Sequence, residues 1–98
     1  MALESQYQAE LRKEIERRLP GCLIIKNDPN LRQGITDLLI LFGKRWGALE
    51  VKRGKHAPGR PNQGYYVDLL DAMSFAAIIY PENEEEILGE LERALRDQ

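Results

Sequence analysis

The 98-residue chain has one cysteine, Cys22. A single thiol excludes an internal disulfide and a cysteine-based zinc site, and it points to a reducing cytoplasm. No apolar run approaches the ~18 residues of a membrane span. The start, Met1-Ala2-Leu3-Glu4, has neither the basic nor the apolar stretch of a signal peptide. Repeats, linkers and low-complexity segments are absent. So is any basic surplus: 14 Lys+Arg stand against 16 Asp+Glu, a formal net charge of −2. On its face, that balance argues against nucleic acid as a partner. What is present, 43% apolar and 31% charged residues, describes one soluble domain spanning residues 1–98.

The average hides an asymmetry. Up to Tyr80 the chain has 12 Lys/Arg and 9 Asp/Glu, a balance of +3; from Pro81 it has 2 and 7, a balance of −5. The acidic surplus suits the positive N-terminal end of a last helix, where Glu84, Glu85 and Glu86 fall. Between Lys44 and Arg60, Lys44, Arg45, Lys52, Arg53, Lys55 and Arg60 meet only Glu50. They form either a solvated loop or a rim that contacts phosphates.

Hydrophobic spacing predicts α-β-β-β-α-β-α, an α/β fold. Leu3, Tyr7, Leu11, Ile15 and Leu19 recur every four residues as one face of a helix ended by Pro20-Gly21. The segment 22–26 reads as a strand. The run from Thr36 to Phe42 is apolar on both faces, so it is a buried central strand. A turn over 43–46 leads to a strand at 47–52. A helix begins near Pro61, with Tyr66, Leu69, Leu70 and Met73 at helical spacing. A strand at 75–80 and a last helix follow. That helix is opened by an Asn83/Glu86 capping box and striped by Ile87, Leu88, Leu91, Ala94 and Leu95.

Three ionisable residues interrupt this pattern. Asp37 opens the buried strand, and Glu50 and Lys52 share one face of the next. A two-residue turn at Lys44-Arg45 would set Asp37 opposite Lys52, with Glu50 diagonal to Asp37. Residues directly opposite have Cβ atoms about 4.5–5.5 Å apart. Two close carboxylates repel, and a divalent cation removes the conflict; Mg²⁺ binds through one or two carboxylates, waters and phosphate oxygens. An Asp37–Lys52 salt bridge with Glu50 at a solvated strand end is the plainer alternative. At 100° per residue from Leu3, Glu4 falls at about 100°, inside the sector from Leu11 to Ile15, and so could reach inward. Glu10 and Glu14 share that helix. Gln63, in the first turn of the second helix, shares a face with Tyr66 and Leu70.

With Gly34-Ile-Thr-Asp37-Leu-Leu, Glu50-Val-Lys52 and Gln63 in this order, the sequence resembles the VRR-NUC nucleases of the PD-(D/E)XK superfamily. Their pattern is roughly G-x-x-D, E-V-K and a downstream Q, preceded by a Glu in the first helix. The likeness runs from Glu4 to Tyr80, and the small size resembles standalone phage-type members, which are similar to Holliday-junction resolvases. Thr36 departs from the pattern, where a Pro often precedes the Asp. The resemblance implies a restriction-endonuclease-like αβββαβα core with a central mixed sheet flanked by helices. It implies Mg²⁺ or Mn²⁺ held by Asp37 and Glu50 with the Val51 carbonyl, Lys52 activating the attacking water, Glu4 supporting the metal shell and Gln63 holding the site. The expected activity is structure-selective DNA endonuclease, on four-way junctions above all, by a cytoplasmic homodimer. A flap or nicking nuclease would use the same trio, and a non-catalytic DNA-binding module on this fold is the competing function. Arg32, Gln33, Lys44, Arg45, Arg53, Lys55 and Arg60 are candidate phosphate contacts. His56 is expected to serve as surface or phosphate contact, Cys22 to pack in the sheet and Trp46 to pack on a sheet face. One of Tyr65 and Tyr66 is expected in the core and the other at a dimer contact. The fourth strand and second helix are the expected pairing surface.

Overall fold

A computed structural model describes residues 4–59 and 61–96. The elements are α1 (Glu4–Arg18), β1 (Leu23–Lys26), β2 (Leu38–Phe42), β3 (Arg45–Val51), α2 (Gln63–Met73), β4 (Phe75–Ile79), a short 3₁₀ turn (Pro81–Asn83) and α3 (Glu84–Arg96). The expected order holds. One sheet is ordered β1-β2-β3-β4, antiparallel except for the parallel β3–β4 pair, so it is mixed. No helix among the described residues is long and apolar enough to cross a membrane.

The sheet has two unlike faces. On the inner face, Leu38, Ile40, Leu49, Val51 and Ile79 pack with Tyr7, Leu11, Ile15 and Leu19 of the first helical stripe and with Ile87, Leu88, Leu91 and Leu95 of α3. Each fully buried aliphatic side chain contributes on the order of 1.5–3 kcal/mol, so this layer supplies most of the stability. The outer face is only partly covered. Leu39, Leu41, Trp46 and Ala48 line a hollow of about 410 Å³ with Leu70 and Met73 of α2. Next to them in register, Leu23 and Ile25 of β1 are exposed. The apolar stripe of α2, at the expected helical spacing, is left largely uncovered: Leu69 and Met73 are 36% and 63% exposed. The one buried residue of α2 is polar, Gln63.

The hairpin register differs from the expected one. The turn is Gly43-Lys44, because Phe42 pairs with Arg45 and Leu38 with Leu49. Gly43 has φ 62°, and a two-residue hairpin wants glycine at its first central position. Every pair thus shifts by two. Asp37 falls opposite Glu50, not Lys52. The expected capping box is also absent: Asn83 Oδ1 accepts the Tyr80 N–H at 2.9 Å and Nδ2 donates to Ile78 O at 3.1 Å, tying down the end of β4.

Charges clamp α1 to α3. Arg18 reaches Glu14 at 2.8 Å, Glu85 at 2.6 Å and Glu92 at 3.1 Å. Tyr7 Oη donates to Glu84 Oε1 at 2.8 Å, and burial, then that carboxylate, raises its pKa. Hydrogen bonds from Arg17 and Arg18 hold the Glu14 carboxyl down at about 2. A depressed folded-state pKa stabilises the fold above the ordinary carboxyl range, and that contribution is lost as pH falls through about 2. Carboxyl-carbon NMR should place the Glu14 midpoint near 2, and Arg18→Ala should raise it toward the ordinary value. An ordinary midpoint in the wild-type chain would contradict the pairing of Glu14 with Arg17 and Arg18.

Candidate active site

The site lies at the end of the sheet where β2 begins and β3 finishes. Asp37 and Glu50 continue the Leu38–Leu49 pairing and so face each other on the outer side. Asp37 is 8% exposed and Glu50 1%. Two carboxylates directly opposite repel, and burial sharpens the conflict because neither is fully hydrated.

A backbone N–H and a side-chain amide are among the donors that hold the pair. The Val51 N–H donates to Asp37 Oδ2 at 2.8 Å. The Gln63 Nε2 donates to Glu50 Oε2. Lys52 follows on the same face as Glu50, with its backbone tied to Ile79 O at 2.9 Å. A Cβ placed on Gly59 would lie 3.0 Å from Gln63 Oε1 and 3.1 Å from Lys52 Nζ. The loop backbone at Gly59 therefore runs against the ends of both side chains, which brackets the Lys52 ammonium and the Gln63 amide at one place. Lys52 takes part in no ion pair among the described residues, so the Asp37–Lys52 salt bridge is not what orders this end.

Gln63 gets there through a backbone contact. Gly34 has φ +88°, and a Cβ on it would sit 2.6 Å from Asn62 Cβ and 2.7 Å from Pro61 O. The chain entering β2 thus presses directly on the start of α2. Asn62 is itself left-handed, at φ 69°, and its carbonyl accepts the Tyr66 N–H at 3.1 Å to begin the helix. Asn27 braces the other side: its N–H donates to Asp37 O and its Nδ2 to Thr36 O, both at 2.9 Å.

Asp37, the Glu50–Lys52 strand end and Gln63 thus come together from three places in the sequence. Glu4 does not join them: it is exposed in the first turn of α1. Glu10 is exposed, and Glu14 is committed to Arg17 and Arg18. The polar side chain that α1 turns inward is Gln8, at 4% exposure, whose Oε1 has no hydrogen-bond partner among the described residues. At about 140° on the same wheel, between Ile15 and Leu19, its place was readable. No cluster of three or more His, Cys, Asp or Glu forms among the described residues.

The basic segment is not one rim. Lys44 and Arg45 sit at the hairpin end, about 20 Å along the strand from Glu50 at ~3.3 Å per residue. There Arg45 donates to Ala94 O at 3.0 Å, closing the C-terminal end of α3. Arg53, Lys55 and His56 do lie at the site end, around a hollow of about 420 Å³ that Glu82 also lines. Arg60 lies outside the described residues. Arg32 and Gln33 are exposed beside the site. Cys22 is half-buried, and burial raises its thiol pKa.

The chain matches no protein-family model, no curated protein and no solved structure.

Proposed function

We propose that this chain is a metal-dependent DNA endonuclease that hydrolyses phosphodiester bonds at branch points, as its resemblance to the VRR-NUC nucleases implies. One observation carries the reading: Asp37 and Glu50 are buried directly opposite each other, with Lys52 and Gln63 gathered at the same end. A divalent cation resolves the repulsion.

The donor set fits Mg²⁺ or Mn²⁺. Both are hard cations that accept one or two carboxylates and complete their shell with water and phosphate oxygens, so a third carboxylate from α1 is not required. In an antiparallel strand the N–H and C=O of one residue face the same neighbour. The Val51 carbonyl thus faces the Asp37 side, where it can serve beside the two carboxylates. When bound, the cation acidifies a water and neutralises charge on the reacting phosphate. The chain's own residues do the rest. Gln63 fixes the Glu50 carboxylate by its amide. Lys52 positions the attacking water and offers its ammonium to the charge that develops on the phosphate oxygens.

A junction has two strands to cut symmetrically, and one chain carries one such site, so the active form is a homodimer. The uncovered outer face, with Leu23 and Ile25 of β1 and Met73 of α2, suits a second copy; this keeps α2 of the expected pairing surface but not β4, whose Ala76 and Ile79 are buried.

The test is incubation with Mg²⁺ or Mn²⁺ and duplex, flap and four-way-junction DNA, beside Asp37→Asn and with the solution mass recorded. Cleavage is expected in the wild-type chain, with Mn²⁺ binding and cleavage both lost in the variant. Wild-type cleavage of no substrate with either metal would reject the nuclease in favour of a binding module. Junction cleavage by a species with the mass of one chain would reject the dimer.

A further inference from the structure

The loop that leads into β2 meets the first turn of α2 beside the site. Arg32 Nη1 donates to Tyr66 Oη at 3.3 Å. The Tyr66 ring meets Tyr65 edge-to-face, 5.1 Å between centroids. Tyr65 is 62% exposed, and Leu31, next to Arg32, is 86% exposed. The loop holding Leu31 and Arg32 is braced: the Asn30 N–H donates to Asp28 Oδ1 at 2.8 Å, Leu31 N–H to Asp28 O at 3.2 Å and Ile35 N–H to Arg32 O at 3.2 Å. The Gly34–Asn62 contact fastens this loop to the helix that supplies Gln63. A guanidinium, two rings in a fixed mutual orientation and an exposed aliphatic chain therefore stand on the loop and the helix that flank the two carboxylates.

None of this cluster is explained by stability. An exposed tyrosine and an exposed leucine leave apolar surface in water, and a long, 3.3 Å hydrogen bond between solvent-exposed groups contributes little. Together they match the chemistry of an unstacked nucleotide. A free base stacks on an aromatic face whatever its sequence, and a cation beside the ring takes the adjoining phosphate. Aliphatic side chains at such places keep base steps open.

We infer that Arg32, Tyr65 and Tyr66, flanked by Leu31, form a binding site for an unpaired nucleobase next to the scissile phosphate, and that this site gives the preference for branched over intact DNA. The inference rests on the reading of the chain as a DNA nuclease, and it names what that nuclease selects. An intact duplex keeps its bases stacked and has nothing to place there, whereas a branch point or bulge does.

Binding without divalent metal separates the two readings, because it needs no cleavage. Wild-type chain, Tyr65→Ala, Tyr65→Trp and Arg32→Ala are titrated in EDTA against a duplex with a three-nucleotide bulge and against the same duplex without it. Tyr65→Ala is expected to lose about 5- to 100-fold in affinity for the bulged DNA, the worth of one stacked base, and under 2-fold for the intact duplex. Tyr65→Trp is expected to keep the bulge preference. Arg32→Ala should weaken both and lower the salt slope by about one phosphate contact. Equal losses on both DNAs in Tyr65→Ala, an unchanged bulge affinity, or a changed solution mass or unfolding midpoint in that variant would overturn the inference. Absence of cleavage alone would overturn only the nuclease.

Discussion

Replacing Lys52 by Ala is expected to lower DNA cleavage by about 10²–10³-fold, the range seen when one preorganised positive or hydrogen-bond-donating group is removed from a charge-developing transition state. The position explains the size. Lys52 lies two residues beyond Glu50 on the same strand face, half-buried, with its Nζ close against the Gly59 backbone. It forms no ion pair among the described residues, so its charge is not spent on holding the fold. Folding stability should therefore change by under about 1 kcal/mol, as for a group without a buried partner. Mn²⁺ binding should persist, because the ammonium is not a ligand. Lys52→Arg is expected to recover only part of the activity, since a planar guanidinium is bulkier against Gly59 and loses its proton less readily than an ammonium. Calorimetric Mn²⁺ titration beside single-turnover cleavage checks both halves. A Lys52→Ala chain that cuts at the wild-type rate would remove Lys52 from the chemistry, and one that loses Mn²⁺ would make it part of the metal shell's support.

Much of this arrangement is legible in the sequence, and the places where it is not have physical causes. An unbroken apolar run in 36–42, alternation in 47–52 and helical spacing in α1 and α3 are strong enough to give the element order. Periodicity also marked Asp37, Glu50 and Lys52 as polar intrusions on an apolar pattern. Register was misread because the turn could be placed on either Gly43-Lys44 or Lys44-Arg45, and a two-residue shift keeps every side chain on its own face. Hydrophobic pattern alone cannot distinguish those registers; the positive φ of Gly43 does. The shift strengthened the site, since Asp37 now faces Glu50 directly. Glu4 illustrates the opposite failure. Its angle on the helical wheel is right for burial, but a carboxylate in a terminal turn stays hydrated at no packing cost, while Gln8, an amide, takes the buried place. The helical spacing of α2 is correctly read, but the helix covers only part of the outer face, so its stripe remains largely exposed. Periodicity reports that a face is apolar, not what covers it.

The deepest stability and activity loss among single-methyl changes is expected at Gly34. Gly34→Ala adds a Cβ where Asn62 Cβ, Pro61 O and Asn62 C already lie at 2.6, 2.7 and 2.8 Å. Two of those atoms belong to the backbone, so relief requires the loop and the start of α2 to separate. The residue must also hold φ +88° with a side chain. A non-glycine residue in that region costs about 1–3 kcal/mol, and overpacking a tight contact adds about 1–3 kcal/mol more. For a domain of this size, a loss of about 3 kcal/mol lowers the unfolding midpoint by roughly 12–24 °C. Gly21→Ala is the matched control: its φ is +93°, but its Cβ would meet nothing within 4 Å, so it isolates the backbone cost from the contact. The functional consequence is separate. Pushing Asn62 away moves Gln63 with it, and the Gln63 amide donates to the Glu50 carboxylate. At a temperature where both variants remain folded, Gly34→Ala should therefore bind Mn²⁺ more weakly and cleave at least 10-fold more slowly than Gly21→Ala, in line with the sensitivity of metal sites to the groups that orient their ligands. Thermal unfolding followed by circular dichroism, with Mn²⁺ titration and cleavage at low temperature, reads all three effects. Equal melting points for the two variants would show that the contact yields without strain. Equal Mn²⁺ affinity despite a lower melting point would show that Gln63 keeps its place without the lock between β2 and α2.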